Sequence, residues 1–407
     1  MHIMKSKLRE FWKLVFVLSS CLVGTISATE FDSEKLSQIP VKMQEFVDKQ
    51  QLAGAVTVVG TKDGIAQISA VGSLDLAAKK PMPEDALFRI ASMTKPITAL
   101  AVMNLVDDGK LSVDDAVEKH LPEFRGQMLI TARDQGSLTL KKAPRPITVR
   151  DLLTHTSGLP GGFPEGLSDL YLRRHLSLKE AVLVSSQRPL DFEPGSKWSY
   201  CNAGIDTLGR IVEVVSGDSF ESFVTKRIFQ PLGLNDTTFY PSSDQLTRLA
   251  RTYDRQNDKL VLKEWTVVGS PENARHPVPA GGLFSTAADL AKIYQSLLND
   301  GQLQGKRIVS SKGLTEMTRV QTGDLPCGFV TGMGFGFGFA VVRQPQGVTA
   351  MLSPGTFGHG GAFGTQAWVD PQRGVFVILL IQRVGLPNAD GSDMRLALQT
   401  IAFDAVK

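Results

Sequence analysis

Three short stretches of this chain carry side chains able to perform acyl transfer. The first is Ser92-Met93-Thr94-Lys95, the only Ser-x-x-Lys in the sequence. A hydroxyl is a weak nucleophile until a base takes its proton. A lysine desolvated against an apolar helix loses its own proton near neutral pH and becomes such a base. If Ser92 opens a helix, its N–H points free of the ladder and Lys95 falls on the same face at i+3. Taken alone the motif is weak, because about one copy arises by chance in a chain of this length. A capping serine followed by a surface lysine is the alternative.

The second stretch is Tyr200-Cys201-Asn202, after the turn Glu193-Pro194-Gly195. A phenol relays a proton when nearby cations lower its pKa, and a neighbouring amide can hold an acyl carbonyl. Alone, Tyr200 beside Trp198 reads as a core aromatic. The third is Gly358-His359-Gly360-Gly361-Ala362, ahead of Phe363. Glycines there let a substrate approach the backbone, and an exposed N–H at Ala362 would join that of Ser92 as an oxyanion hole. His359 would supply a polar or cationic neighbour. A glycine-rich bend with an incidental histidine is the plainer alternative.

The elements that must position these residues follow from periodicity. Glu34 to Gln51 reads as an amphipathic helix, and Ala53–Val59 and Ile65–Val71 as a hairpin turning at Lys62-Asp63-Gly64. Ser92 to Val106 is a helix closed by Asp107-Asp108-Gly109. From about 111 to 273 the pattern is mostly helical, with a capping box at Thr148 and Asp151, helices near Asn202–Val215 and Ser219–Phe229, and a Pro/Gly-rich loop at Pro160–Gly166. Thr286–Leu298 is a further helix, with Ser285 as its cap. Phe335, Phe337 and Phe339 alternate with glycines as in one strand with a bulky face. Gln366–Val369 and Val375–Gln382 make a second hairpin, and a last helix covers about Ser392 to Ala405. Strands at both ends with helices between imply an antiparallel sheet built from both termini, plus a helical insertion. Sites commonly lie in the cleft between such lobes.

Residues 1–28 read as an export signal. Lys5, Lys7, Arg9 and Lys13 precede the uncharged apolar run Leu14–Ile26, and Ala28 offers a small residue for cleavage. The run is shorter than the ~20 apolar residues a spanning helix needs. Leu18-Ser19-Ser20-Cys21 also resembles a lipidation box on Cys21, but Leu22-Val23-Gly24 continues the apolar run and favours export without an anchor. Beyond residue 28 the chain holds 40 basic and 40 acidic residues. That balance gives no footprint for nucleic acid or an anionic membrane surface. Cysteine and histidine spacings suggest no metal, and a Cys201–Cys327 bridge is permitted but not readable from spacing.

The three stretches, in this order, resemble the serine beta-lactamase and penicillin-binding superfamily, specifically its class C-like branch with the family VIII carboxylesterases. Ser92-x-x-Lys95 is similar to the first motif and Tyr200-x-Asn202 to the second. His359-Gly360-Gly361 stands where that family has Lys-Thr-Gly or a variant. Phe88–Ser92, Thr148–Leu159 and Gly361–Thr365 extend the likeness, which runs from about residue 35 to 403. The resemblance implies an α/β (α+β) fold of the beta-lactamase/transpeptidase type, with a sheet lobe over about 29–110 and 274–407 and a helical lobe over about 111–273.

It further implies catalysis by Ser92, Lys95 and Tyr200, with Asn202, His359, Gly361 and Ala362 binding substrate, Tyr200 as the base for deacylation, and no cofactor. His155 is expected to be structural, satisfying carbonyls at a helix end. The Gly-x-Ser-x-Gly elbow of alpha/beta-hydrolases is absent. The implied substrates are small esters, beta-lactams or cell-wall peptides. Histidine and glycine in the third motif remove a permanent cation and a hydroxyl that would hold a substrate carboxylate. Losing a hydrogen bond to a charged group costs ~1.5–3 kcal/mol, so esters are the expected substrates. A silent penicillin- or peptidoglycan-binding protein is the alternative from another class, disfavoured by the retained Ser92, Lys95 and Tyr200.

Overall fold

The segments 53–59 and 65–71 form the long hairpin expected of them. Strands β1 (Gly54–Thr61) and β2 (Gly64–Asp75) pair antiparallel, with Val56 opposite Ala70. The computed structural model describes residues 29–162, 175–263 and 274–407. The expected export signal and residues 163–166 of the Pro/Gly-rich loop lie outside the described residues.

Eight strands make one antiparallel sheet. Beyond the hairpin these are β3 (Lys80–Pro81), β4 (Met333–Phe335), β5 (Ala340–Val342), β6 (Phe357–Gly360), β7 (Gln366–Asp370) and β8 (Val375–Ile381), in the order β4-β5-β6-β7-β8-β1-β2-β3. The two ends of the chain meet where β1 pairs with β8, Ala55 opposite Ile381. Both strands are buried on both faces, which is why they read as continuous apolar runs. The period of two still divides them: Val56, Val58, Ile378 and Leu380 join one core, and Ala55, Val59, Val377 and Leu379 the other.

Helices cover each face. α1 (Gln38–Asp48) and α5 (Asp393–Asp404) close the second core with Met43, Phe46, Leu398 and Phe403. α2 (Thr94–Asp107), α3 (Asn202–Ser216) and α4 (Ala287–Leu298) pack into the first. α2 is buried from Thr94 to Leu105 without a solvent face, the mark of a central helix.

Several expectations change in detail. Ser92 lies in a short 3₁₀ turn, Ala91–Met93, and α2 starts at Thr94. The cap of α4 is Thr286, whose hydroxyl accepts from the Asp289 N–H; Ser285 pairs in a short strand instead. Phe335, Phe337 and Phe339 are not one strand. The chain turns between β4 and β5 at Gly336–Gly338, where Gly338 has φ +74° and leaves no room for a Cβ against Ala99. All three rings are buried. The region 111–273 also holds two hairpins, Met128–Asp134 with Ser137–Lys142 and Tyr253–Gln256 with Lys259–Leu262. Three of their four strands are largely exposed, and the fourth buries only Tyr253, so no apolar alternation marks them. Their two-residue turns, Gln135-Gly136 and Asn257-Asp258, have positive φ at both positions, as such hairpins require. Cys201 and Cys327 are free thiols, and no bridge joins them.

Candidate active site

The nucleophile turn is held on three sides. Phe88–Arg89 pairs with Phe284–Ser285, the Ile90 N–H donates to the Leu283 carbonyl, and the Thr94 hydroxyl donates to the Ala91 carbonyl at 2.7 Å. Ala91 takes φ +44°, a conformation a residue with a Cβ seldom adopts. Such strain persists only where the surroundings over-determine it. Here it throws Ser92 out of α2 while keeping it one turn from Lys95.

Lys95 is fully buried and donates to three acceptors: Ser92 Oγ at 3.1 Å, Asn202 Oδ1 at 2.8 Å and the Ala280 carbonyl at 2.6 Å. Burial pulls its pKa from the usual lysine range to about 7, against the opposing pull of Asp206 and Cys201. Amide and backbone carbonyl oxygens can only accept. When Lys95 is neutral its two N–H groups therefore serve Asn202 and Ala280, and its lone pair is left for the Ser92 hydroxyl.

Tyr200 and Asn202 reach this lysine through the segment that ends the 148–159 signature. Thr148 and Asp151 form the expected capping box, and Arg145 grips the Asp151 carboxylate at 2.6 and 2.9 Å. His155, in left-handed backbone at φ +59°, is structural as expected but works differently. Its carbonyl accepts the Ser199 N–H, and its Nδ1 accepts the Cys201 N–H at 3.2 Å. It is thus a neutral acceptor bracing Tyr200 from both sides, rather than a donor to helix carbonyls. Burial, then the Lys95 charge, hold its pKa well below the usual histidine range. The Tyr200 hydroxyl bonds to Ser92, and its ring lies under Lys95 with Nζ 4.6 Å from the centroid. Trp198, Phe329, His155 and His359 pack around it, and Phe335 packs on Trp198 behind them. Burial pushes the phenol well above the usual tyrosine range. Among the described residues no cation brings it near neutrality, so Tyr200 is held as a neutral phenol.

The third stretch ends β6. His359 is buried, 6.1 Å from the Tyr200 ring, and its Nδ1 lies 2.6 Å from the Gly360 carbonyl. The carbonyl must accept, so Nδ1 carries the proton and Nε2 is a bare acceptor. Burial and the Lys95 charge bring the imidazole pKa down to about 3, which favours the polar over the cationic of the two roles expected for His359. Gly361 packs on the nucleophile turn, and Ala362 stands at the exposed corner of the tight turn 361–364 beside it.

A Cβ at 361 would lie 2.5 Å from the Ile90 carbonyl oxygen and collide with the Thr365 hydroxyl. Gly361→Ala is therefore expected to shift the Ser92 turn. The rate of fluorophosphonate labelling at Ser92 should fall about 100-fold, the usual cost of misplacing a reacting group by ~1 Å, with a lowered melting temperature. Wild-type kinetics in this variant would refute the close fit.

Sequence reading missed three parts of the site. Asp206 lies one turn after Asn202 on α3, is buried and accepts the Ala280 N–H at 2.9 Å. Burial pushes it well above the usual carboxylate range. The i+4 spacing from Asn202 was the available signal. The Ala280 carbonyl has no signal in a side-chain alphabet. Asp390 lies against Gly360 from a distant loop, unmarked by any local pattern.

A site so arranged, where the end of β6 meets the turn before α2 and the start of α3, is that of a serine hydrolase. The Beta-lactamase family model matches residues 42–401, and the chain belongs to that family. It is 35% identical over 363 residues to the uncharacterized protein MT1414 of Mycobacterium tuberculosis (strain CDC 1551 / Oshkosh), covering 84% of this chain and 88% of that one. It is 32% identical over 387 residues to Esterase EstB of Burkholderia gladioli, covering 87% and 92%. The solved structure of EstCE1, described as a hydrolase with promiscuous acyltransferase activity, superposes with a TM-score of 0.74 at 26% identity over 92% of this chain and 98% of that one. These likenesses fit the esterase-like branch of the superfamily.

Proposed function

We propose that this protein is an exported hydrolase of carboxylic esters that forms an acyl-enzyme on Ser92. The observation that carries the ester preference is the state of His359. Its bare Nε2 is an acceptor where a carboxylate-binding site needs a donor, and Gly360 offers no hydroxyl. Beta-lactams and D-alanyl peptides bear that carboxylate, whereas simple esters do not. The esterase relative supports the same choice. Export rests on the charged and apolar pattern of residues 1–28.

In this reading neutral Lys95 takes the proton as Ser92 Oγ bonds to the ester carbonyl carbon. The N–H groups of Ser92 and Ala362 stabilise the oxyanion, and Asn202 orients the acyl group. The protonated lysine returns its proton through the Tyr200 hydroxyl to the departing alkoxide, leaving acyl-Ser92 and a free alcohol. Water then bonds to the acyl carbon as Lys95 takes its proton; the bond to Ser92 Oγ breaks, Oγ recovers that proton, and the carboxylic acid leaves. The high pKa of Tyr200 moves the deacylation base from the phenol to Lys95, with Tyr200 passing protons while remaining neutral at rest.

Two assays on the mature protein test this reading. A fluorophosphonate should add one mass equivalent on Ser92, and the labelled protein should be recovered outside the cytoplasm. Turnover of p-nitrophenyl butyrate should exceed that of nitrocefin by about 10- to 100-fold, the scale of one lost charged hydrogen bond. Preference for nitrocefin by orders of magnitude would reverse the substrate assignment in favour of a beta-lactamase or peptidase. Absence of a Ser92 adduct would favour a silent binding protein.

A further inference from the structure

Gly360 is empty of side chain because another residue fills its place. A Cβ built there would run into the Asp390 carboxylate and lie 2.5 Å from the Gln366 amide nitrogen. Asp390 sits in a short 3₁₀ turn, Ala389–Gly391, capped by the Asn388 side chain. That turn is tied into the site on two sides. The Asn388 amide donates to the Phe329 carbonyl at 2.9 Å, and the Phe329 ring packs 5.0 Å from the Tyr200 ring. Gln366, opposite Gly360 across the sheet, donates to Asp390 Oδ1 at 3.2 Å and is itself fixed by the Trp368 indole at 2.9 Å. The carboxylate is near enough to Tyr200 to oppose its ionisation.

Two acceptors therefore flank the end of β6, the bare Nε2 of His359 on one side and the Asp390 carboxylate on the other. Arg395, 4.0 Å from Asp390 Oδ1, is buried beneath it and stacked 3.9 Å over the Trp368 ring; its Nη1 donates to the Asp390 carbonyl. That cation is turned to the structure, not to the cleft. A subsite so lined carries the opposite sign from one built to hold a carboxylate.

We infer that Asp390 is a specificity-determining residue of this site: it rejects esters whose leaving alcohol carries a carboxylate and favours those whose leaving alcohol carries a cation. This rests on the ester-hydrolase reading above and adds the sign of the leaving group. Arg395 offsets part of the repulsion between two carboxylates from beneath Asp390, and among the described residues no other cation pairs with that carboxylate. The attraction of an ammonium group to Asp390 is the same effect reversed.

Three butyrates of matched shape test it: phenyl, 3-carboxyphenyl and 3-(trimethylammonio)phenyl butyrate. They are assayed at pH 8, on the alkaline side, because burial pushes the Asp390 carboxyl above the usual carboxylate range while Arg395 and Gln366 pull it down. In the wild type, kcat/KM should rank cationic, neutral, anionic, with the anionic ester at least about tenfold below the neutral one, equivalent to ~1.4 kcal/mol. In Asp390→Asn, the anionic-to-neutral ratio should rise at least about tenfold. Asp390→Ser serves if the amide disturbs Gln366. Three equal rates in the wild type, or an unchanged ratio in both variants, overturn this proposal alone. A wild type that cleaves none of the three and takes no fluorophosphonate label overturns the hydrolase reading and this proposal with it.

Discussion

Ser92→Ala is expected to lower p-nitrophenyl butyrate turnover by roughly 10⁴-fold or more, the scale seen when a nucleophile is removed from a covalent mechanism. It should also abolish fluorophosphonate labelling. The cause is local. The turn that carries Ser92 is fixed by backbone pairing with Leu283 and by the Thr94 hydroxyl, neither of which uses the serine side chain. The variant should therefore fold with a melting temperature near that of the wild type while Lys95 keeps its bonds to Asn202 and Ala280. Turnover within tenfold of the wild type would remove Ser92 from the chemistry and point to the cleft serving some other nucleophile.

The second large effect belongs to Lys95. Its activity and its stability contribution titrate in ways that can be read separately. Only the neutral amine offers a lone pair to Ser92, so kcat/KM should rise with pH through an acid limb near pH 7, where burial has brought the lysine. Lys95→Met should erase that limb and cost about 10²–10⁴-fold, the usual range for a general base. On the stability side, the folded pKa lies below that of the unfolded chain. Between about 7 and the lysine model value of 10.5 the unfolded chain holds a proton that the folded one does not. Wild-type stability should therefore gain on that of Lys95→Met as pH rises across the window, and the penalty for burying the charge is present in full below it. Urea melts of both proteins at pH 6 and pH 9 measure the change. A difference independent of pH would mean that Lys95 keeps its charge when buried.

Local spacing made much of this site legible. Ser92 with Lys95, and Tyr200 with Asn202, are each separated by one turn or less, so geometry follows from sequence once the helix starts are placed. The Thr148–Asp151 box was readable for the same reason. What escaped reading depends on contacts across the fold. Asp390 reaches Gly360 from a loop thirty residues on, and nothing near either residue signals the other. The positive φ of Ala91 is imposed by its surroundings against the preference of the residue itself. The charge states of His359 and Tyr200 depend on burial, which composition does not reveal, and that of Tyr200 departed from expectation. The misread phenylalanine stretch had the right bulk and the wrong path: alternation with glycine suits a strand and a tight turn equally well until Gly338 is seen against Ala99.

The pairing of β1 with β8 has a consequence for how the molecule is made. Ala55 is among the earliest residues of the sheet to be synthesised, and its partner Ile381 among the last. Until β8 has left the ribosome, the hairpin β1–β2 has one open edge and an uncovered apolar face, and neither core can close. Contacts so distant along the chain form slowly and leave sticky surface exposed meanwhile. The central sheet is thus completed only when nearly all of the chain has been made.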